Sequence, residues 1–155
     1  GIGYGKGLAA ALMLGASGVQ FGTRLIATKE APFHEVYKQS LVNASDTETL
    51  IVGRSVGMIR RMLKTPYSLK LEEREKEGMT RAQYSELTTE KQHVMGAIKG
   101  DMENGFINSG QIAGLIDHIP SVKELIESMI KEASNQISHS KSELDFMIHK
   151  QSNKK

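Results

Sequence analysis

Cysteine is missing altogether from the 155 residues, proline occurs 3 times, and 20 basic against 18 acidic side chains leave a formal charge of only +2. Each shortage closes a class of function. Without cysteine there is no disulfide framework, no thiolate zinc site and no cysteine nucleophile, and the expected compartment is a reducing one, the cytoplasm. So little proline excludes a collagen-like chain. A surplus of two charges is too small for a dedicated nucleic-acid binder, which needs a basic excess to displace phosphate counterions. The apolar run from Leu8 to Leu14 is far too short to cross a bilayer. What remains, 39% hydrophobic and 25% charged residues, describes a core-forming protein of one domain or a piece of one.

Glycine is unevenly spent. Seven of the 15 glycines fall within the first 22 residues, and Gly1, Gly3, Gly5 and Gly7 alternate with other residues ahead of Leu8-Ala9-Ala10-Ala11-Leu12-Met13-Leu14. Alanine and leucine favour helix and Gly15 stands where a C′ residue belongs, so a helix is expected over about residues 7–14. A glycine-rich loop that opens a helix offers free amides to an anion, usually phosphate. Neither common phosphate motif fits. The dinucleotide fingerprint needs glycine at Lys6 or Leu8, and a Walker A loop needs Ser or Thr at Gly7. A lysine, an apolar run and the small residues Gly15 to Gly18 also mimic a secretory signal peptide. The alternating glycines and the lack of an initiator Met speak against it.

Gly18 to Thr23 reads as a short strand with Val19 and Phe21 on one face. Helix, glycine and strand make half of a βα repeat. In parallel α/β folds the carboxyl ends of strands gather ligands, which places Gly22 and Thr23 beside the Gly1 to Gly7 loop.

These residues carry a resemblance. Gly1-Ile2, Gly5-x-Gly7-Leu8, Leu14-Gly15-Ala16-x-Gly18-Val19-Gln20-x-Gly22-Thr23-Arg24 and Ala27-Thr28-x-Glu30-Ala31-Pro32 resemble the end of the nitronate monooxygenase (2-nitropropane dioxygenase) barrel. Asn108-Ser109-Gly110-Gln111-Ile112-Ala113-Gly114 and Ile119-Pro120-Ser121-Val122 continue the likeness in order and spacing. The flavin-type enoyl-acyl-carrier-protein reductases share the first segment. The resemblance implies an α/β fold, the carboxyl part of an FMN-binding (β/α)8 TIM barrel that is mostly helical in this stretch. It also implies that strands one to seven lie in a missing amino-terminal half.

The implied division runs in four parts. Residues 1–30 supply loop seven, helix seven, strand eight and the FMN-phosphate site; 31–118 form a helical insertion or lid; 119–150 form a helix packed on the barrel; 151–155 form a polar tail. By resemblance Gly1, Gln20, Phe21, Gly22 and Thr23 hold the FMN phosphate with backbone amides and the Thr23 hydroxyl, using no buried cation. Asn108 and Gln111 are the implied substrate or lid contacts. No catalytic residue falls in this chain, because the family's catalytic histidine follows strand six.

The remaining segments are expected to be mainly helical. Leu50-Ile51-Val52 is a short extended run, Val56 to Leu63 has helical spacing with Arg60 and Arg61 on its wet side, and Pro66 ends that helix. Leu69 to Glu77 and Arg81 to Lys99 are charged helices that stop at Gly78 and Gly100. Ser121 and Glu124 form a capping box for a long last helix. The five histidines are scattered without the i, i+4 spacing of a helical metal site, so no metal is expected. Asp117 and His118, as chain neighbours, are not expected to face one another.

The implied activity is oxidation of alkyl nitronates by dioxygen to a carbonyl compound and nitrite. The expected partners are a small nitronate, dioxygen, the missing half and a second copy in a homodimer, with no nucleic acid or membrane. Three alternatives stay open: an enoyl reductase using a nicotinamide cofactor, an inactive fragment, and a helical interaction module.

Overall fold

The computed structural model describes residues 1–152. Helix α1 spans Gly5–Met13, two residues earlier than propensity alone suggests. Its start is set by a partner, since the Gly5 amide donates to Glu132 Oε2 at 2.6 Å from the last helix. Its end follows the expected chemistry. Gly15 sits at φ +93°, its amide donates to the Leu12 carbonyl, and the Ala16 amide donates to the Ala11 carbonyl, the paired bonds of a Schellman cap.

Residues 18–21 keep the anticipated alternation, with Val19 and Phe21 half-buried and Gln20 exposed, but form no strand. The expected strand lacks a ladder because no other described segment pairs with it, and a strand exists only through its neighbour's hydrogen bonds. Gly22 then caps the short helix α2, Thr23–Ile26, and α3 follows at Glu35–Val42 behind His34, whose ring accepts from the Val36 amide.

The sheet consists of two antiparallel strands, β1 at Thr49–Val52 and β2 at Arg60–Leu63, paired Thr49 to Leu63 through Val52 to Arg60. Val56 to Leu63 is therefore a turn and a strand, not the helix that its apolar spacing suggested. Gly53 and Gly57, at φ +79° and +71°, turn the chain back. Successive residues of β2 then face two different apolar clusters. Leu63 joins Tyr37, Leu41, Ala97 and Ile107, while Met62 joins Val52, Leu71, Tyr84 and Phe106. A helix cannot put neighbouring side chains on opposite sides in this way; a strand does so by its period of two.

Pro66 opens the next helix instead of closing one. It stands at the first position of α4, Pro66–Glu77, behind a Thr65–Ser68 capping box, where its missing N–H costs nothing. Thr88 and Thr89 split the expected Arg81 to Lys99 helix into α5, Arg81–Leu87, and α6, Glu90–Ala97. A 3₁₀ turn at Gln111–Leu115 precedes α7, Val122–Ser152, whose first turn carries the anticipated Ser121–Glu124 box. Leu125, Met129 and Ala133 of α7 are buried, and α1 packs along this helix. Helix α7 takes in Gln151 and Ser152, and the rest of the expected tail lies outside the described residues. No described helix is long and apolar enough to cross a membrane.

Candidate functional site

The early glycines serve two different ends. A side-chain carbon on Gly5 would lie 2.6 Å from the Met129 carbonyl and one on Gly3 would lie 2.7 Å from Ile112, so both are glycine to let elements touch. The amino end of α1 is filled by the Glu132 carboxylate, which complements its dipole as an external anion would. Gly1 rests against Ile112, a Cβ there falling 3.5 Å away.

Gly22 differs. A carbon built on it meets nothing within 4 Å, and its backbone faces an open recess of about 340 Å³. Gly22 and Thr23 form one side of this recess, Asn108, Ser109 and Gly110 another, and Arg60 and Arg61 a third. The segments are locked together. The Gly110 amide donates to Thr23 Oγ1 at 2.8 Å, the Ser109 amide donates to the Arg61 carbonyl at 3.2 Å, and Asn108 bridges to Met62 as a further edge on β2. Buried Tyr37 of α3 donates its hydroxyl to the Asn108 carbonyl, and burial pushes that phenol well above its usual range, so it stays a donor. Since Thr23 Oγ1 accepts the Gly110 amide, its own proton is left to donate outward.

No carboxylate lines the recess. Arg60 lies over the Phe106 ring at 5.2 Å and Arg61 donates to Thr49 Oγ1 at 2.8 Å. Among the described residues neither arginine has a carboxylate within 4.0 Å. From the sequence the two arginines read as a solvated helix face, with contact to phosphate as the weaker alternative. The signal for them was the pair of glycines, Gly53 and Gly57, between two short runs, which is a hairpin pattern.

Of the residues expected at the site, the structure brings Gly22, Thr23 and Asn108 together. Gln20 is exposed on the approach to Gly22, Phe21 is half-buried, and Gln111 is exposed at the start of the 3₁₀ turn. Asp117 and His118, against expectation, do face one another, with Asp117 Oδ1 and His118 Nδ1 2.5 Å apart. They sit in an extended link, not a helix, and buried Arg24 holds that link by donating to the His118 carbonyl at 3.3 Å. The His118 ring, helped by Arg24, keeps the Asp117 carboxyl below its ordinary range. Among the described residues no group of His, Asp and Glu side chains has the arrangement of a metal site.

The family model described as nitronate monooxygenase matches residues 1–132, and the chain belongs to that family. Its members are TIM barrels, of which this chain carries a mostly helical part with a two-stranded sheet. A Mycobacterium tuberculosis protein described as (3aS,4S,5R,7aS)-5-hydroxy-7a-methyl-1-oxo-octahydro-1H-indene-4-carboxyl-CoA dehydrogenase is 32% identical over 165 positions, covering 83% of this chain and 46% of that protein. A probable nitronate monooxygenase of Staphylococcus saprophyticus is 30% identical over 86% of this chain and 37% of its own length. The solved structure of FabK from Thermotoga maritima superposes with a TM-score of 0.82 at 38% identity, over 91% of this chain and 44% of that one. The chain thus spans less than half the length of each of these relatives.

Proposed function

We propose that this chain supplies the FMN-phosphate end of a nitronate-oxidising flavoenzyme. The observation that carries the reading is the convergence of Gly22, Thr23 and the Asn108 to Gly110 turn on one recess free of carboxylates. The fit to a phosphate is physical: Gly22 leaves its backbone bare, Thr23 keeps a hydroxyl proton to donate, and no negative charge stands in the way. Gly1, Gln20 and Phe21, which do not line this recess, enter the FMN site by family resemblance alone. FMN held there would supply the redox chemistry between nitronate and dioxygen. The chain's own part is to bind and orient. Thr23 and Gly22 hold the phosphate, and Asn108, fixed by Tyr37 and β2, borders the substrate side with Gln111. Residues 31–118 act as the lid, 119–150 as the helix backing the barrel, and the catalytic base comes from outside this chain.

A second reading, enoyl reduction with a nicotinamide cofactor, draws on the likeness to FabK. One experiment separates them. The protein expressed from its own gene should retain FMN and release nitrite from propionate-3-nitronate with oxygen consumption. NADH-dependent enoyl reduction without nitrite release would favour the second reading, and a protein that takes up no flavin would sink both.

A further inference from the structure

We propose that the end of α7 is a self-association arm, on which a second copy of this protein pairs antiparallel through Leu144 and Met147. The inference stands apart from the flavin reading and does not depend on it.

Helix α7 runs unbroken for 31 residues, whereas the family match ends at residue 132. Up to Ser140 the helix has a neighbour within the fold. Leu125, Met129 and Ala133 are buried, and Met13 of α1 lines one groove with Ile137 and Ser140. Beyond that point α1 has ended, and every residue from 141 to 150 is exposed. The apolar stripe continues all the same. Ala133, Ile137, Ser140, Leu144 and Met147 follow at alternating steps of four and three, the seam of a coiled coil, with Leu144 and Met147 exposed to 54% and 55%. Ser138, His139, Ser140 and Ser142 favour helix only weakly, so this stretch depends on packing of its stripe more than on propensity.

Charge selects the occupant. Across residues 141–150 Lys141 and Lys150 balance Glu143 and Asp145, so an anionic lipid surface gains nothing from the arm. A second copy does gain. Glu143 and Lys150 flank the stripe on one side, seven positions and about 10 Å apart, too far to pair within one helix. Among the described residues neither is in an ion pair. Parallel arms in register bring Glu143 to no cation. Antiparallel arms with Leu144 on Ser140 set Glu143 against Glu143 and Lys141 against Lys141. Antiparallel arms with Leu144 on Met147 place Glu143 of each copy beside Lys150 of the other, and cover both apolar side chains.

Sedimentation equilibrium of the protein expressed from its own gene, over a concentration series, should show a dimer. Leu144→Ser together with Met147→Ser should raise its dissociation constant by at least about a hundredfold. Glu143→Lys and Lys150→Glu should each raise it by about tenfold, and the two exchanges combined should restore it. All four side chains are exposed in the single chain, so the variants should fold, which thermal melts check. A wild type that stays monomeric throughout would overturn the proposal, as would a dimer indifferent to the serine variant. Charge variants that the combined exchange does not rescue would overturn the antiparallel register. A monomer in which hydrogen exchange protects residues 141–150 would place another part of the full protein on the arm, and that too would sink the proposal.

Discussion

Thr23 and Gly110, 87 positions apart in the chain, are joined by a 2.8 Å hydrogen bond in which the Gly110 amide donates to the Thr23 hydroxyl oxygen. That bond ties the segment after α1 to the turn after α6, and so joins the two stretches that carry the family likeness. Thr23→Val should remove both the acceptor for Gly110 and the outward donor. The expected cost is about 1–2 kcal/mol of stability together with loss of FMN, and Thr23→Ser should recover both. A valine variant that melts and binds flavin like the wild type would disprove this role.

Gly22→Val puts a branched side chain where the phosphate approaches. Nothing in the protein stands within 4 Å of the added carbon, so the variant should fold and fail to hold FMN. Unchanged flavin content would refute the site.

Glu132 holds the amino end of α1 through the Gly5 amide at 2.6 Å. Its replacement by Ala should destabilise the α1–α7 contact by about 0.5–2 kcal/mol, the usual cost of losing a helix cap. Flavin affinity should be unaffected, because Glu132 is not among the residues that line the recess. Equilibrium urea unfolding with and without FMN measures both.

Gly96 and Gly105 let α6 press against the segment leading into Phe106. A side-chain carbon on Gly96 would lie 2.4 Å from the Phe106 carbonyl oxygen, a backbone atom with nowhere to go. Gly96→Ala should cost at least about 1–3 kcal/mol in denaturant unfolding. It should also disturb the Phe106 ring on which Arg60 rests.

Acid should weaken the fold in two windows. Burial, with a smaller push from Arg60, holds the His93 imidazole below its ordinary value of 6.5. Between the folded and ordinary values the unfolded chain takes a proton that the folded chain refuses, so stability falls as pH drops below 6.5. Glu124 adds a second window. The Ser121 amide and hydroxyl, with Lys29, pull its carboxyl down to about 2, and the stability this brings is present above 4.5 and lost as pH falls towards 2. Melting temperatures across pH should show both declines, with His93→Gln flattening the first and Glu124→Gln the second.

Local chemistry was legible where it is local. The Schellman cap at Gly15, the capping box at Ser121 and the turn at Gly78 depend on residues within a few positions of one another, and the structure has all three. The segment from Val56 to Leu63 reads as a helix because Val56, Met58, Ile59, Met62 and Leu63 satisfy a helical period as well as they fit a turn and strand. Only the need to serve two apolar clusters at once decides for the strand. The pairing of Asp117 with His118 was missed because it depends on how Arg24 draws their backbone in.

The sequence by itself determined the family, through motifs at Gly22-Thr23 and Asn108 to Gly114, and the ends of its helices, because caps are short-range hydrogen bonds. Tertiary structure decided which glycines serve packing and which stand open. Gly3 and Gly5 are pressed by Ile112 and Met129, while Gly22 is not. It also decided that two arginines share a recess with a threonine some forty residues away in the chain. The physical reason is common to both: spacing along a chain records the helical or extended period, whereas contact depends on which distant elements close over each position.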